Sequence, residues 1–141
     1  MDPIQSIVTA CAAMVLLVAA VAAKMLADRS REMRTRRFHP QQVADSRAAT
    51  ERYEAVQAAD NYRNLFEMPV LFYAWAALVI ATGHASEAMA IGAWAYVALR
   101  VGHSLIHVTY NKVMHRFAVF ALSGVVLALL WGALVATVWR A

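Results

Sequence analysis

Four apolar stretches follow one another along this 141-residue chain, separated by polar breaks. Each is about as long as the roughly 20 residues needed to cross the hydrocarbon core of a bilayer. A chain built this way does not suit an ordinary water-soluble domain, which keeps roughly half of its surface polar. Composition agrees, with 62% hydrophobic residues against 16% charged and a mean hydropathy of +0.51. Disorder and a disulfide-stapled scaffold are excluded on the same grounds. Cys11 is the single cysteine, so neither an intramolecular disulfide nor a thiolate metal cluster can form.

The stretches predict helices over about 4–27, 62–82, 87–110 and 113–139, with one long polar loop over about 28–61. The first is too long for a signal-peptide core, and Asp2 stands where a basic leader would begin, so this segment is expected to stay attached. Tight breaks at Gly83-His84-Ala85-Ser86 and Asn111-Lys112 imply two antiparallel hairpins. The expected fold is therefore an all-α membrane protein, a single domain over 1–141. It is a four-helix transmembrane bundle in up-down-up-down order.

Arg29, Arg31, Arg34, Arg36, Arg37, Arg47 and Arg52 crowd the first loop, while the second break carries only Glu87. This asymmetry places the basic loops in the cytoplasm and both termini on the opposite side. Arg47 and Arg52 alternate with Asp45, Glu51 and Glu54. That pattern suits a solvated helical piece and a topology signal better than a clamp for nucleic acid, which is not expected as a partner.

Ionisable groups inside a membrane helix cost about 2.5 to 3.5 kcal/mol on insertion scales and so face protein or a wet cavity. The third segment concentrates them. At 100° per residue, Tyr96, Arg100, His103, Ser104, His107 and Asn111 share one stripe, with apolar residues elsewhere around the helix. Arg100 lies about 16 Å from Asn111 along the axis, too deep for a lipid-facing arginine to snorkel. It calls for a buried anion, and Glu67, three residues from Asn64 on the second segment, is the expected ion-pair partner. Pro69 should kink the second segment beside this cluster by freeing the carbonyl of Leu65. The bland reading is a structural polar network that holds the helices in register. His103 and His107 have the i, i+4 spacing of a metal-ligand pair, but two histidines are too few for a catalytic metal, and no metal is expected.

The fourth segment opens with His115-Arg116. It then carries Gly124, Ala128, Gly132 and Ala136 at intervals of four, a small-residue seam for close helix approach within or between subunits. Trp75, Trp94 and Trp131 lie too deep for an interfacial belt and are expected to pack, whereas Trp139 suits the interface.

These residues together resemble the MAPEG family, the membrane-associated proteins of eicosanoid and glutathione metabolism. The resemblance spans most of the chain. It rests on the long basic first loop, on Arg63-Asn64-x-x-Glu67 followed by Pro69, and on Arg100-x-x-His103-x-x-x-His107 leading to Arg116. In spacing it is most similar to the prostaglandin E synthase branch, here as a bacterial-type member. What the resemblance implies is a homotrimer with glutathione held between neighbouring subunits. Arg116 would steady the glutathione thiolate, and His107 takes the place of a tyrosine. Arg63, Asn64, Glu67 and His103 would line the pocket, with Arg100 bracing Glu67. Gln57 and Asp60 stand where eukaryotic members place arginines. Two functions follow as expectations. One is a glutathione-dependent transferase or peroxidase acting on a lipophilic small-molecule electrophile in the bilayer. The other is a non-catalytic binding or assembly subunit that keeps the scaffold.

Overall fold

The computed structural model describes residues 1–140, the side chain of Ser46 excepted. Helix α1 runs over Pro3–Arg36, followed by a 3-10 turn at Pro40–Val43 and a short helix α2 at Ser46–Arg52. The remaining helices are α3 (Gln57–Asn64), α4 (Met68–Thr82), α5 (Glu87–Val108) and α6 (Val113–Val138). Four units are long and apolar enough to cross a membrane: Pro3–Arg36, Gln57–Thr82, Glu87–Val108 and Val113–Val138.

Local chemistry sets the ends of these helices. Asp2 caps α1 by accepting from the amides of Ile4 and Gln5 at 3.1 and 3.3 Å, and Pro3 occupies the first turn, where its missing N–H costs nothing. Ser86 caps α5 in the same way through the Met89 amide. Gly83, at φ 71°, ends α4 in the left-handed conformation that glycine adopts without strain. The α5–α6 turn closes at Asn111, also left-handed at φ 47°.

Two segments depart from the sequence expectation. Helix α1 continues to Arg36 instead of ending near 27, so its 34 residues span about 50 Å, roughly 20 Å more than the hydrocarbon core. Hydropathy marks where the apolar run stops. It does not mark where the backbone stops being helical, and the polar extension holds i, i+4 pairs between Lys24 and Asp28 and between Glu32 and Arg36. The second segment is broken, not merely kinked. Residues 65–67 form a turn between α3 and α4, and Pro69 sits in the first turn of α4. Without an N–H, Pro69 cannot continue the ladder from Leu65, but it fits the start of a new helix.

Packing is built around α5. Ile7, Ala10, Met14 and Val21 present one stripe of α1 to the core, and Leu127, Leu130 and Leu134 do the same from α6. The Leu130 side chain of α6 packs over Gly92 of α5, where an added Cβ would lie 2.7 Å from Cδ2 of Leu130 and require that side chain to shift. Phe72 of α4 stacks between Trp75, at 5.8 Å, and Tyr96, at 4.7 Å, and all three are fully buried. Trp75 is fully buried and Trp131 partly so, as expected of packing residues, whereas Trp94 is 40% exposed; each still ties two helices together. Trp75 Nε1 donates to the carbonyl of Leu130 at 2.9 Å, Trp131 Nε1 to that of Leu71 at 3.3 Å, and Trp94 Nε1 to Oγ of Ser6 at 3.2 Å. The small-residue seam of α6 turns mostly outward. Ala128, Gly132 and Ala136 are exposed, whereas Gly124 is partly covered, with Cε of Met68 3.5 Å from where a Cβ would stand.

Replacing Trp75 by Phe keeps a ring but removes one interhelical hydrogen bond and opens a cavity where the larger indole stood. Thermal unfolding in detergent should show a loss of about 2 to 4 kcal/mol, with helix content unchanged. No loss would mean that the indole N–H does not tie α4 to α6.

Candidate functional site

The polar stripe of α5 faces the interior of the bundle. Tyr96 and Arg100 are fully buried, and His103, Ser104 and His107 are each 2% exposed. Ser104 donates to Oδ1 of Asn61, a fully buried side chain of α3 at 3.3 Å. His103 Nδ1 lies 3.2 Å from the carbonyl of Arg116. Because a carbonyl can only accept, this contact puts the proton on Nδ1 and leaves Nε2 facing the interior without a partner. The His103 and His107 rings meet edge to face at 5.6 Å.

Arg100 is held differently from the sequence expectation. Its Nη2 donates to the backbone carbonyl of Asn64 at 3.3 Å, and its guanidinium lies 5.6 Å over the ring of Phe120. Among the described residues no ion pair joins it to Glu67, whose side chain belongs to an exposed residue at the start of α4. The break at 65–67 explains both facts. It takes Glu67 off the face that an unbroken helix would share with Asn64. It also leaves the Asn64 carbonyl with only a long 3.4 Å contact from the Glu67 amide, so this oxygen is free to accept from Arg100. Nε and Nη1 of Arg100, Nδ2 of Asn61, the Tyr96 hydroxyl and Nδ1 of His107 are buried without partners. Polar atoms in this state are ordinarily satisfied by water or by a bound polar group.

At the end of the bundle that carries the long loop, this ridge opens into a pocket of about 300 Å³ lined by Asp60, Arg63, Asn64, Glu67, His107 and Arg116. Five of the seven expected site residues therefore meet in one place. The other two, Arg100 and His103, stand behind it and grip the backbone of Asn64 and Arg116 respectively. Sequence reasoning missed the partner that orients Arg116. Oδ1 of Asn111 accepts from Arg116 Nη1 at 2.8 Å, across the α5–α6 turn. The signal lay in the spacing, since a two-residue break ending the stripe on an asparagine puts that side chain beside the first turn of the next helix. Asp60, noted only as a departure in charge, faces Arg63 at 3.8 Å, both side chains being about half exposed. A profile of the MAPEG family matches residues 7–136. The chain belongs to the MAPEG family. No curated protein and no solved structure matched it.

Within this MAPEG scaffold the chemistry available at the pocket is electrostatic. Two guanidiniums, an imidazole, two carboxylates and a carboxamide converge on a mouth that is open to water on one side and backed by buried polar groups on the other. Among the described residues no group of three His, Cys, Asp or Glu side chains gathers as a metal site would require.

Because Glu67 is exposed and forms no ion pair among the described residues, Glu67→Gln should change thermal stability in detergent by less than about 0.5 kcal/mol. A loss above about 3 kcal/mol would restore the buried ion pair with Arg100.

Proposed function

We propose that this protein is an integral membrane, glutathione-dependent transferase or peroxidase acting on lipophilic electrophiles, assembled as a homotrimer with the pocket mouth toward the cytoplasm. The observation that carries the reading is Arg116, half-buried at the pocket, steered by Asn111 and flanked by His107. The residues present fit the tripeptide. Arg63 and Asn64 supply donors for a carboxylate, Glu67 and Asp60 supply acceptors for an ammonium, and His107 has an unpartnered ring nitrogen. When bound, glutathione supplies a nucleophilic sulfur whose free thiol, with a pKa of about 8.5, is mostly protonated at neutral pH.

The work of the chain's own residues follows from their placement. Arg116 holds positive charge where sulfur charge develops, in a site partly shielded from water, where such an interaction is stronger than in bulk solvent. His107 holds or passes the thiol proton, a role open to an imidazole with one nitrogen free. His103 fixes the α6 backbone at Arg116 without entering the pocket, and Arg100 fixes the α3 backbone at Asn64. The outward small-residue seam on α6 supports packing against a second subunit, and the arginine-rich loop supports the cytoplasmic orientation. The site sits where a substrate dissolved in the bilayer and a water-soluble peptide can meet.

The Asp60–Arg63 contact, which occupies a cation otherwise available to a carboxylate, favours a second reading as a non-catalytic binding or assembly subunit. Calorimetric titration with glutathione separates the two. The catalytic reading requires binding at or below millimolar concentration, and no detectable heat supports the subunit reading. In the catalytic case Arg116→Ala should slow glutathione consumption with a generic lipophilic electrophile by about 100-fold, as loss of a preorganised charge donor does. A rate within about twofold of wild type would remove Arg116 from the chemistry.

A further inference from the structure

Helix α3 carries Asp60, Arg63 and Asn64 to the pocket, yet it is flanked by non-helical joints on both sides, the turn at 65–67 and the segment 53–56. Its first end has no side-chain cap of its own, because Val56 stands at the N-cap position. Something else must fix where α3 begins. The polar extension of α1 reaches that point. Oε1 of Glu32 accepts from the Glu54 amide at 2.7 Å and Oε2 accepts from the Ala55 amide at 3.3 Å, two consecutive N–H groups gripped by one carboxylate. Arg36 Nη1 donates to the same Oε1 at 3.0 Å and to the backbone carbonyl of Arg52, and forms an ion pair with the Glu54 carboxylate at 3.3 Å. Beside the clasp, the Arg29 guanidinium lies over the Tyr53 ring at 5.4 Å, and Phe38 meets the same ring edge-on at 5.5 Å. The Glu32 side chain is only 12% exposed, unlike the freely solvated Arg47–Glu51 pair of the same loop.

We infer that Glu32 is a positioning residue for the pocket: by clamping the amides of Glu54 and Ala55 it sets the start of α3 and so places Asp60, Arg63 and Asn64. It touches no ligand itself. This rests on the proposed glutathione reading for its kinetic consequence, but not for the clamp, which hydrogen exchange reads directly.

The test uses the full chain in detergent or nanodiscs, with Glu32→Ala and Glu32→Gln. In Glu32→Ala, amide exchange across 54–64 should accelerate about tenfold while α5 and α6 keep their protection, as expected when charge-assisted hydrogen bonds are lost from a locally stable unit. KM for glutathione should rise about tenfold with kcat within about twofold, a split that global destabilisation does not give. Glu32→Gln, which keeps one carbonyl acceptor, should recover KM to within about threefold of wild type. Unchanged exchange across 54–64, faster exchange with an unchanged KM, or equal losses of kcat and kcat/KM would overturn the inference. If Glu32→Ala fails to fold, Glu32→Asp, whose shorter side chain pulls the carboxylate back from the two amides, decides by the same readouts, with faster exchange across 54–64 and a raised KM expected and wild-type values contradicting the inference. If wild-type protein neither binds nor consumes glutathione, the functional reading fails, and exchange across 54–64 alone judges the clamp.

Discussion

A guanidinium and two imidazoles on a helix that lies in hydrocarbon are tolerable only if protein surrounds them. The arrangement of the bundle follows from this cost. Helix α5 carries Arg100, His103 and His107, and it is the most enclosed of the four spans. The other helices wrap the charged face while the apolar remainder of α5, Leu105 among it, stays turned outward. Below the charges, the stacked Phe72, Trp75 and Tyr96 seal the interior. Tryptophan N–H groups bonded to backbone carbonyls of neighbouring helices replace the hydrophobic drive that is missing between helices in lipid.

The same cost explains the irregular second span. A carbonyl at a helix break has lost its ladder partner and accepts most readily from a buried guanidinium. The turn at 65–67 ends the α3 ladder and leaves the Asn64 carbonyl with one long contact from the Glu67 amide, and this oxygen accepts from the guanidinium. The break also separates α3 from α4, so that the three pocket residues on α3 ride on a short helix steered from the far end of α1. Depth, helix break and pocket are thus one construction, in which a buried cation draws on a backbone interrupted by the turn at 65–67.

Much of this was legible in the sequence. The four spans follow from hydropathy, which is a sum over many residues and insensitive to any one of them. The burial of the α5 stripe follows from its 100° periodicity, because lipid offers so many polar groups no alternative. The convergence of Arg63, Asn64, Glu67, His107 and Arg116 was legible through the family resemblance. Other features were not legible, for physical reasons. Whether Pro69 bends or breaks its helix depends on what neighbouring groups do with the freed carbonyl, a tertiary matter. Glu67 was expected to pair with Arg100 on the assumption of a continuous helix, and that assumption failed three residues before the side chain in question. The reach of α1 to Arg36 escaped hydropathy because helical propensity and i, i+4 charge pairs carry it beyond the apolar run. The hold of Asn111 on Arg116 depends on the geometry of a turn that the sequence marks only by its length.

The sheltering of the α5 ridge can be measured on the wild-type chain. Solid-state NMR of the protein in bilayers whose acyl chains carry nitroxides would compare paramagnetic broadening of the His103 and His107 ring signals with that of the Leu105 methyls on the opposite face. The expected result is that the histidine signals persist while those of Leu105 broaden away. Histidine signals broadened as strongly as Leu105 would place the ridge against lipid and contradict the account.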